Sequence, residues 1–271
     1  RGRRMSFSAS WLELREPHDR RARNANVLDA VAKGFARHSS VAITDLACGT
    51  GSTLRALSPR LPARQNWRLA DNDLSLLART PQSSPPDLIV TTVPVDLERD
   101  LEVALDGPAD LVTTSALLDL VSDAWLERLA VEAAARRLPV YAALSYDGRV
   151  EMTPADPGDA AIVGAVNQHQ RTDKGFGPAL GPDAAKVAPQ RFERVGYAVV
   201  QGVSDWVFGP ADREIQLETL TGWATAAREI GTVPLPDVIG WLTRRRDLVT
   251  AGRSTIRVGH IDLFARPTGS R

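Results

Sequence analysis

Asp45, Gly49, Gly51 and Asp71 are the residues whose types and spacing speak most directly of chemistry. The glycines end an apolar, β-branched run, Val41-Ala-Ile-Thr-Asp-Leu-Ala47, that reads as a buried strand. They lead into Ser52-Thr-Leu-Arg-Ala-Leu57, small polar residues followed by helix formers. Glycine adopts backbone angles closed to other residues and lets a ligand approach the N–H groups of a helix start. Asp71, twenty positions after Gly51, closes a second candidate strand, Trp67-Arg-Leu-Ala-Asp71, where a carboxylate can accept hydrogen bonds from ribose hydroxyls. Asp73 is a rival for that role, although its place before Leu-Ser-Leu-Leu suits an N-cap. A strand-end carboxylate in a cleft has little packing to lose, so Asp71 should add little to the stability of the ligand-free fold.

Two nucleotide-binding patterns compete at this turn. The NAD fingerprint Gly-x-Gly-x-x-Gly needs a third glycine where the chain has Leu54. The segment Asp45-Leu-Ala-Cys-Gly-Thr-Gly51 instead resembles the first motif of class I S-adenosylmethionine (SAM)-dependent methyltransferases, Asp/Glu-x-Gly-x-Gly-x-Gly, with Ala47 in place of the first glycine. Asp71 followed by Leu76-Leu77 resembles that family's second motif, and the resemblance spans about residues 41–265. It implies SAM as cofactor, contacted by Asp45, Ala47, Cys48, Gly49, Thr50, Gly51, Asp71, Asn72, Asp96, Leu97 and Ser115. Asp96 would meet the adenine amino group and Leu97 would flank the ring. Ser115, Ala116 and Asp119 would lie beside the transferred methyl. In the family a helix before the first strand often lids the site, and there Arg23 could reach the cofactor carboxylate or an acidic substrate.

The elements that must position these residues alternate along the chain. Residues 10–38 read as a short helix and then a long one, with Leu28, Val31, Ala32 and Phe35 on one face. Further strands are expected at 87–93, 110–115, 139–145, 197–208 and 255–265, with Asp96-Leu97 opening a helix and other helices at 123–138 and 183–195. Pro81 to Pro86 read as an exposed loop, and Tyr146 and Asp147 as the tip of the fifth strand. The whole resembles a doubly wound α/β fold with a seven-stranded, mostly parallel sheet, its last strand antiparallel, and helical cap insertions. The expected organisation is a helical lid (1–40), the cofactor half of the core (41–146), a cap insertion (147–181), core continuation (182–208), a helical insertion (211–252) and a terminal strand with tail (253–271).

Methyl transfer from a sulfonium mainly requires an aligned nucleophile and excluded water, with a base needed only for a protonated acceptor. His169, expected in an exposed polar loop, and Tyr146 are the catalytic candidates. Arg23, Asp119, Tyr146, Asn167, His169 and Lys174 are the candidate substrate contacts. Histidines 18, 38, 169 and 260 are scattered without ligand spacing, so no metal is expected. The fourth-strand end, Thr114-Ser-Ala-Leu-Leu-Asp119, lacks the Asp/Asn-Pro-Pro-Tyr/Phe signature of adenine- and glutamine-directed enzymes.

Lys plus Arg and Asp plus Glu both number 33, a balance that gives nucleic acid no long-range attraction, and Arg244-Arg-Arg246 reads as a solvated helix face. The 43% hydrophobic content can fill a full core. Cys48 is the lone cysteine, so no intrachain disulfide forms and a reducing cytoplasm is the simplest setting. No apolar run is long enough to span a membrane. Arg1-Gly-Arg-Arg4, ahead of Met5, lacks the apolar stretch of a signal peptide. These features point to a small polar or aromatic metabolite as acceptor, on oxygen, nitrogen or sulfur, with a homodimer compatible. The alternative is an inactive SAM- or nucleotide-binding partner subunit.

Overall fold

The computed structural model describes residues 7–80 and 86–269, so Arg1 to Arg4 and the loop expected from Pro81 to residue 85 lie outside the described residues. Two helices precede the sheet, α1 (Ala9–Ala22) and α2 (Ala25–Phe35). The break falls at Arg23-Asn24 and not near Pro17, which sits inside α1. Asn24 explains the position. Its side chain caps α2 by accepting from the Val27 amide at 3.1 Å, and its own amide donates to the Asp262 carboxylate at 2.9 Å.

The next stretch alternates strand and helix: β1 (Ser40–Leu46), α3 (Ser52–Leu57), β2 (Arg64–Asp71), α4 (Leu74–Leu77), β3 (Leu88–Pro94), α5 (Leu101–Leu105), β4 (Leu111–Ser115), α6 (Asp123–Ala135) and β5 (Val140–Thr153). All five strands run parallel. Asp96 opens a turn rather than a helix, since α5 begins only at Leu101. Then come α7 (Asp159–Gln170), α8 (Ala184–Arg194), β6 (Tyr197–Val203), β7 (Trp206–Phe208), α9 (Arg213–Ile230), α10 (Leu235–Thr250) and β8 (Thr255–Pro267). The sheet order is β3-β2-β1-β4-β5-β8-β6, with β8 antiparallel to both β5 and β6, and β7 pairing with β8.

Among the described residues the sheet has eight strands, because the single strand expected over 197–208 is two. Asp205 turns the chain between them: its carboxylate meets Arg149, Arg257 and the amide of His260. The β5 strand does not end at Tyr146 either. Register shifts after Ala142 and after Tyr146 let it bend and continue to Thr153. The polar, glycine-bearing stretch that follows holds the helix α7, whose buried face is Ile162, Ala165 and Val166.

Three apolar clusters hold these layers. Leu101, Leu126, Phe192 and Val140 fill one face of the sheet. Val27, Val31, Ile43, Leu57, Trp67 and Phe264 fill the other. Each such side chain contributes roughly 1.5–3 kcal/mol when removed from water. The third cluster joins α7, α9 and α10 to the outer ends of β5, β7 and β8 through Ile162, Leu220, Trp241, Phe208 and Val258. The helices of both insertions therefore share one core.

Candidate functional site

The carboxyl ends of β1, β2 and β4 border a cavity of about 530 Å³. Its floor is the turn after β1, where Ala47 (φ 52°), Gly49 (φ 55°) and Gly51 (φ 84°) all take the left-handed conformation. Gly51 is the N-cap of α3, and a Cβ at Gly49 would lie 3.1 Å from Leu12 Cδ1 on α1. Asp71 fastens this turn. One carboxylate oxygen accepts from the Gly49 amide at 2.8 Å and the other from the Asp73 amide at 2.9 Å. Burial still pushes the Asp71 carboxyl above the usual carboxylate range, against the opposing pull of these amides. Asp73 caps α4, accepting from the amides of Ser75 at 2.9 Å and Leu76 at 3.3 Å.

Of the residues expected to hold the cofactor, Ala47, Cys48, Gly49, Thr50, Asp71, Asn72, Asp96, Leu97 and Ser115 line the cavity. Asp45 and Gly51 are not among its lining residues. Asp45 is fully buried, accepts from the Thr113 hydroxyl at 2.7 Å, and is pushed by burial up to about 7. Burial likewise drives the Cys48 thiol far above its ordinary range, which leaves it inert as a nucleophile. Leu97 is buried, and its carbonyl accepts from the Trp125 indole at 2.7 Å.

The far end of the cavity is bordered by Phe7, Leu12, Arg15, Asp19, Ala116, Leu117, Leu120, Lys174 and Phe176. Sequence reasoning anticipated only Lys174 and Ala116 there. Arg15 and Asp19 form an i, i+4 pair, a spacing that usually marks a solvated helix face. Here the pair is buried. Arg15 grips both oxygens of Asp19 at 2.9 and 3.2 Å, the Trp206 indole donates to Asp19 at 2.8 Å, and the Arg15 guanidinium lies 4.8 Å from the Trp206 ring centroid.

The remaining candidates stand one layer out. Arg23 is buried and donates to Tyr141 at 3.1 Å, Thr53 at 3.4 Å and Ser115 at 3.5 Å, so it meets the cavity through Thr53 and Ser115. Asp119 is buried and pushed up to about 6 by burial. The Tyr146 hydroxyl donates to Asn167 at 2.7 Å, Asn167 in turn donates to the Gly148 carbonyl at 3.2 Å, and burial pushes the phenol above its ordinary range. His169 is in the last turn of α7 rather than an exposed loop. Its Nε2 lies 2.9 Å from Glu229, and its Nδ1 lies 3.2 Å from Lys174 Nζ. Asp119, Tyr146, Asn167 and His169 are not among the cavity-lining residues.

No family model and no curated protein matches the sequence. Solved structures do. A cyclopropane-fatty-acyl-phospholipid synthase-like protein from Lactobacillus casei superposes with a TM-score of 0.54 at 14% identity, over 96% of this chain and 94% of that one. A cyclopropane synthase from Mycobacterium tuberculosis gives 0.50 at 11%, over 96% and 95%. The YcgJ protein from Bacillus subtilis gives 0.50 at 13%, over 91% of this chain and all of that one. With this strand order and a glycine turn after β1, the chain has the class I SAM-dependent methyltransferase fold.

Proposed function

We propose that the protein is a SAM-dependent methyltransferase acting on a small polar or aromatic metabolite. The observation that carries this reading is the clasp between Asp71 and Gly49, which holds a left-handed turn open at the cavity floor. The residues present suit the cofactor. Carboxylates of Asp71 and Asp96 offer acceptors for hydroxyls and an amine, while Leu74, Leu76, Val95 and Leu97 offer apolar sides for a flat ring. Each Asp71 oxygen keeps a lone pair beyond the one given to an amide, enough to accept a ribose hydroxyl. Leu54, at the third glycine position of the NAD pattern, is buried between α3 and the sheet, where a dinucleotide fold needs close helix–strand approach.

When bound, SAM supplies an activated methyl: the acceptor's lone pair forms the new bond to carbon, and the carbon–sulfur pair stays on sulfur. The chain's own residues then have to orient the acceptor and exclude water. Ser115 and Ala116, at the end of β4, line the cavity, and Arg23, which is not among the lining residues, donates to Ser115. His169 acts as a positioning residue through Lys174, whereas Tyr146 and its partner Asn167 both stand off the cavity lining.

Titration calorimetry with SAM, S-adenosylhomocysteine and NAD tests the assignment. Ligand at one hundred times its dissociation constant should stabilise the fold by about 2.7 kcal/mol. Stabilisation by NAD alone would overturn it. Mass spectrometry of S-adenosylhomocysteine released against a metabolite extract identifies the acceptor.

A further inference from the structure

We infer that the acceptor carries an anionic group and that Lys174 receives it, an inference that rests on reading the cleft as a methyltransferase site. Among the described residues two cationic side chains line the cavity, Arg15 and Lys174. Arg15 is already neutralised by Asp19. Lys174 is only 7% exposed, yet among the described residues no carboxylate lies within ion-pair distance of it. Its ammonium donates to His169 Nδ1 at 3.2 Å and to the Thr172 hydroxyl at 2.9 Å. Neither partner is a carboxylate. An ammonium has three N–H donors, so one remains without an acceptor among the described residues.

Glu229 on α9 holds His169 Nε2, which leaves Nδ1 to accept from the lysine and fixes the imidazole tautomer. Glu229 thus touches Lys174 only through the ring. A buried ammonium without a counter-charge is costly, and burial lowers the lysine's proton affinity despite Glu229 and Asp173 nearby. Arg15 and Asp19 also line the cavity and satisfy each other, and among the described residues its remaining charged lining is Asp71, Asp73, Asp96 and Glu98. An entering anion would supply the missing charge, and Phe7, Leu12 and Phe176 would take its apolar body. The residue type matters. Lys33, Lys174 and Lys186 are the only lysines in the sequence, and a compact, rotatable ammonium suits this seat better than a guanidinium fork.

With three lysines, each side chain is resolvable by carbon-13 NMR of the ε-methylene. The probes are benzoate and its neutral isostere benzamide, added to wild-type protein saturated with S-adenosylhomocysteine. Benzoate should shift the Lys174 signal, raise its pKa and bind at least tenfold more tightly than benzamide. Lys174→Met should abolish that preference, and Lys174→Arg should restore part of it. Equal binding of the two probes overturns the inference. So does a Lys174 signal that ignores benzoate, phenylacetate and inorganic phosphate alike. The wild-type titration needs no variant to fold. Nucleoside affinity measured on the same samples reports separately on the methyltransferase reading: tight S-adenosylhomocysteine with no anion response sinks only the anion site.

Discussion

Replacing Asp71 should damage the protein before any ligand is added. The sequence suggested a carboxylate with little structural duty, but both of its oxygens accept backbone amides, from Gly49 and Asp73. A hydrogen bond to a charged group contributes about 1.5–3 kcal/mol, so Asp71→Ala forfeits roughly 3–6 kcal/mol of interaction. Burial already works against the ionised carboxylate, as its raised pKa shows, and removing it recovers part of that cost. The expected net loss is about 2 kcal/mol. Asp71→Asn should fare no better, because one amide would then face the new NH2 group, donor against donor. Urea unfolding of the ligand-free proteins measures both. Because the folded pKa is raised, the wild type loses stability as pH climbs from about 4 through the folded value, and its margin over Asp71→Ala should narrow accordingly. S-adenosylhomocysteine affinity should fall ~10–100-fold in both variants. Asp73→Ala serves as the control, costing about 1 kcal/mol through the lost α4 cap with affinity nearly intact. Both Asp71 variants unfolding within 0.5 kcal/mol of wild type would refute the clasp.

Two further outcomes follow from the same turn. Ala47→Gly should stabilise the fold by about 0.5–1 kcal/mol in denaturant titration, since a left-handed alanine costs about 1–2 kcal/mol and the glycine gives back part of that through the unfolded chain. Asp45, raised to about 7 by burial, should weaken the fold as pH rises through that value. Asp45→Asn should therefore match wild type near pH 4 and exceed it by up to about 4 kcal/mol at pH 8, as seen in melting temperature against pH.

The glycine turn and Asp71 were legible because their signals are local: a glycine after a β-branched run, and an acid at the next strand end. The acceptor end was not, because Phe7, Arg15 and Phe176 meet only in space, drawn from the N-terminal segment and a loop far along the chain. The helix α7 was hidden for a related reason. Its buried face is three modest residues, Ile162, Ala165 and Val166, packed against a second insertion that the local pattern cannot foresee. Likewise Asp147-Gly-Arg149 looks like a strand-ending turn, and only pairing with β8 carries β5 through it.

That pairing has a consequence for how the molecule assembles. β1 pairs with β2, β2 with β3 and β4 with β5, each a neighbour in sequence, and the β1–β4 pairing spans only β2 and β3. β5, however, finds its second partner only across α7 to α10: Val140 pairs with Ala265, and Thr153 with Thr255. The loop-closure entropy of so distant a contact places β8 late in folding. Until it docks, β5 presents an unpaired row of backbone groups, and β6 and β7 have nothing to pair with. Damage to the cap helices should accordingly show itself as aggregation through that open edge, well away from the cleft, before it shows as lost catalysis.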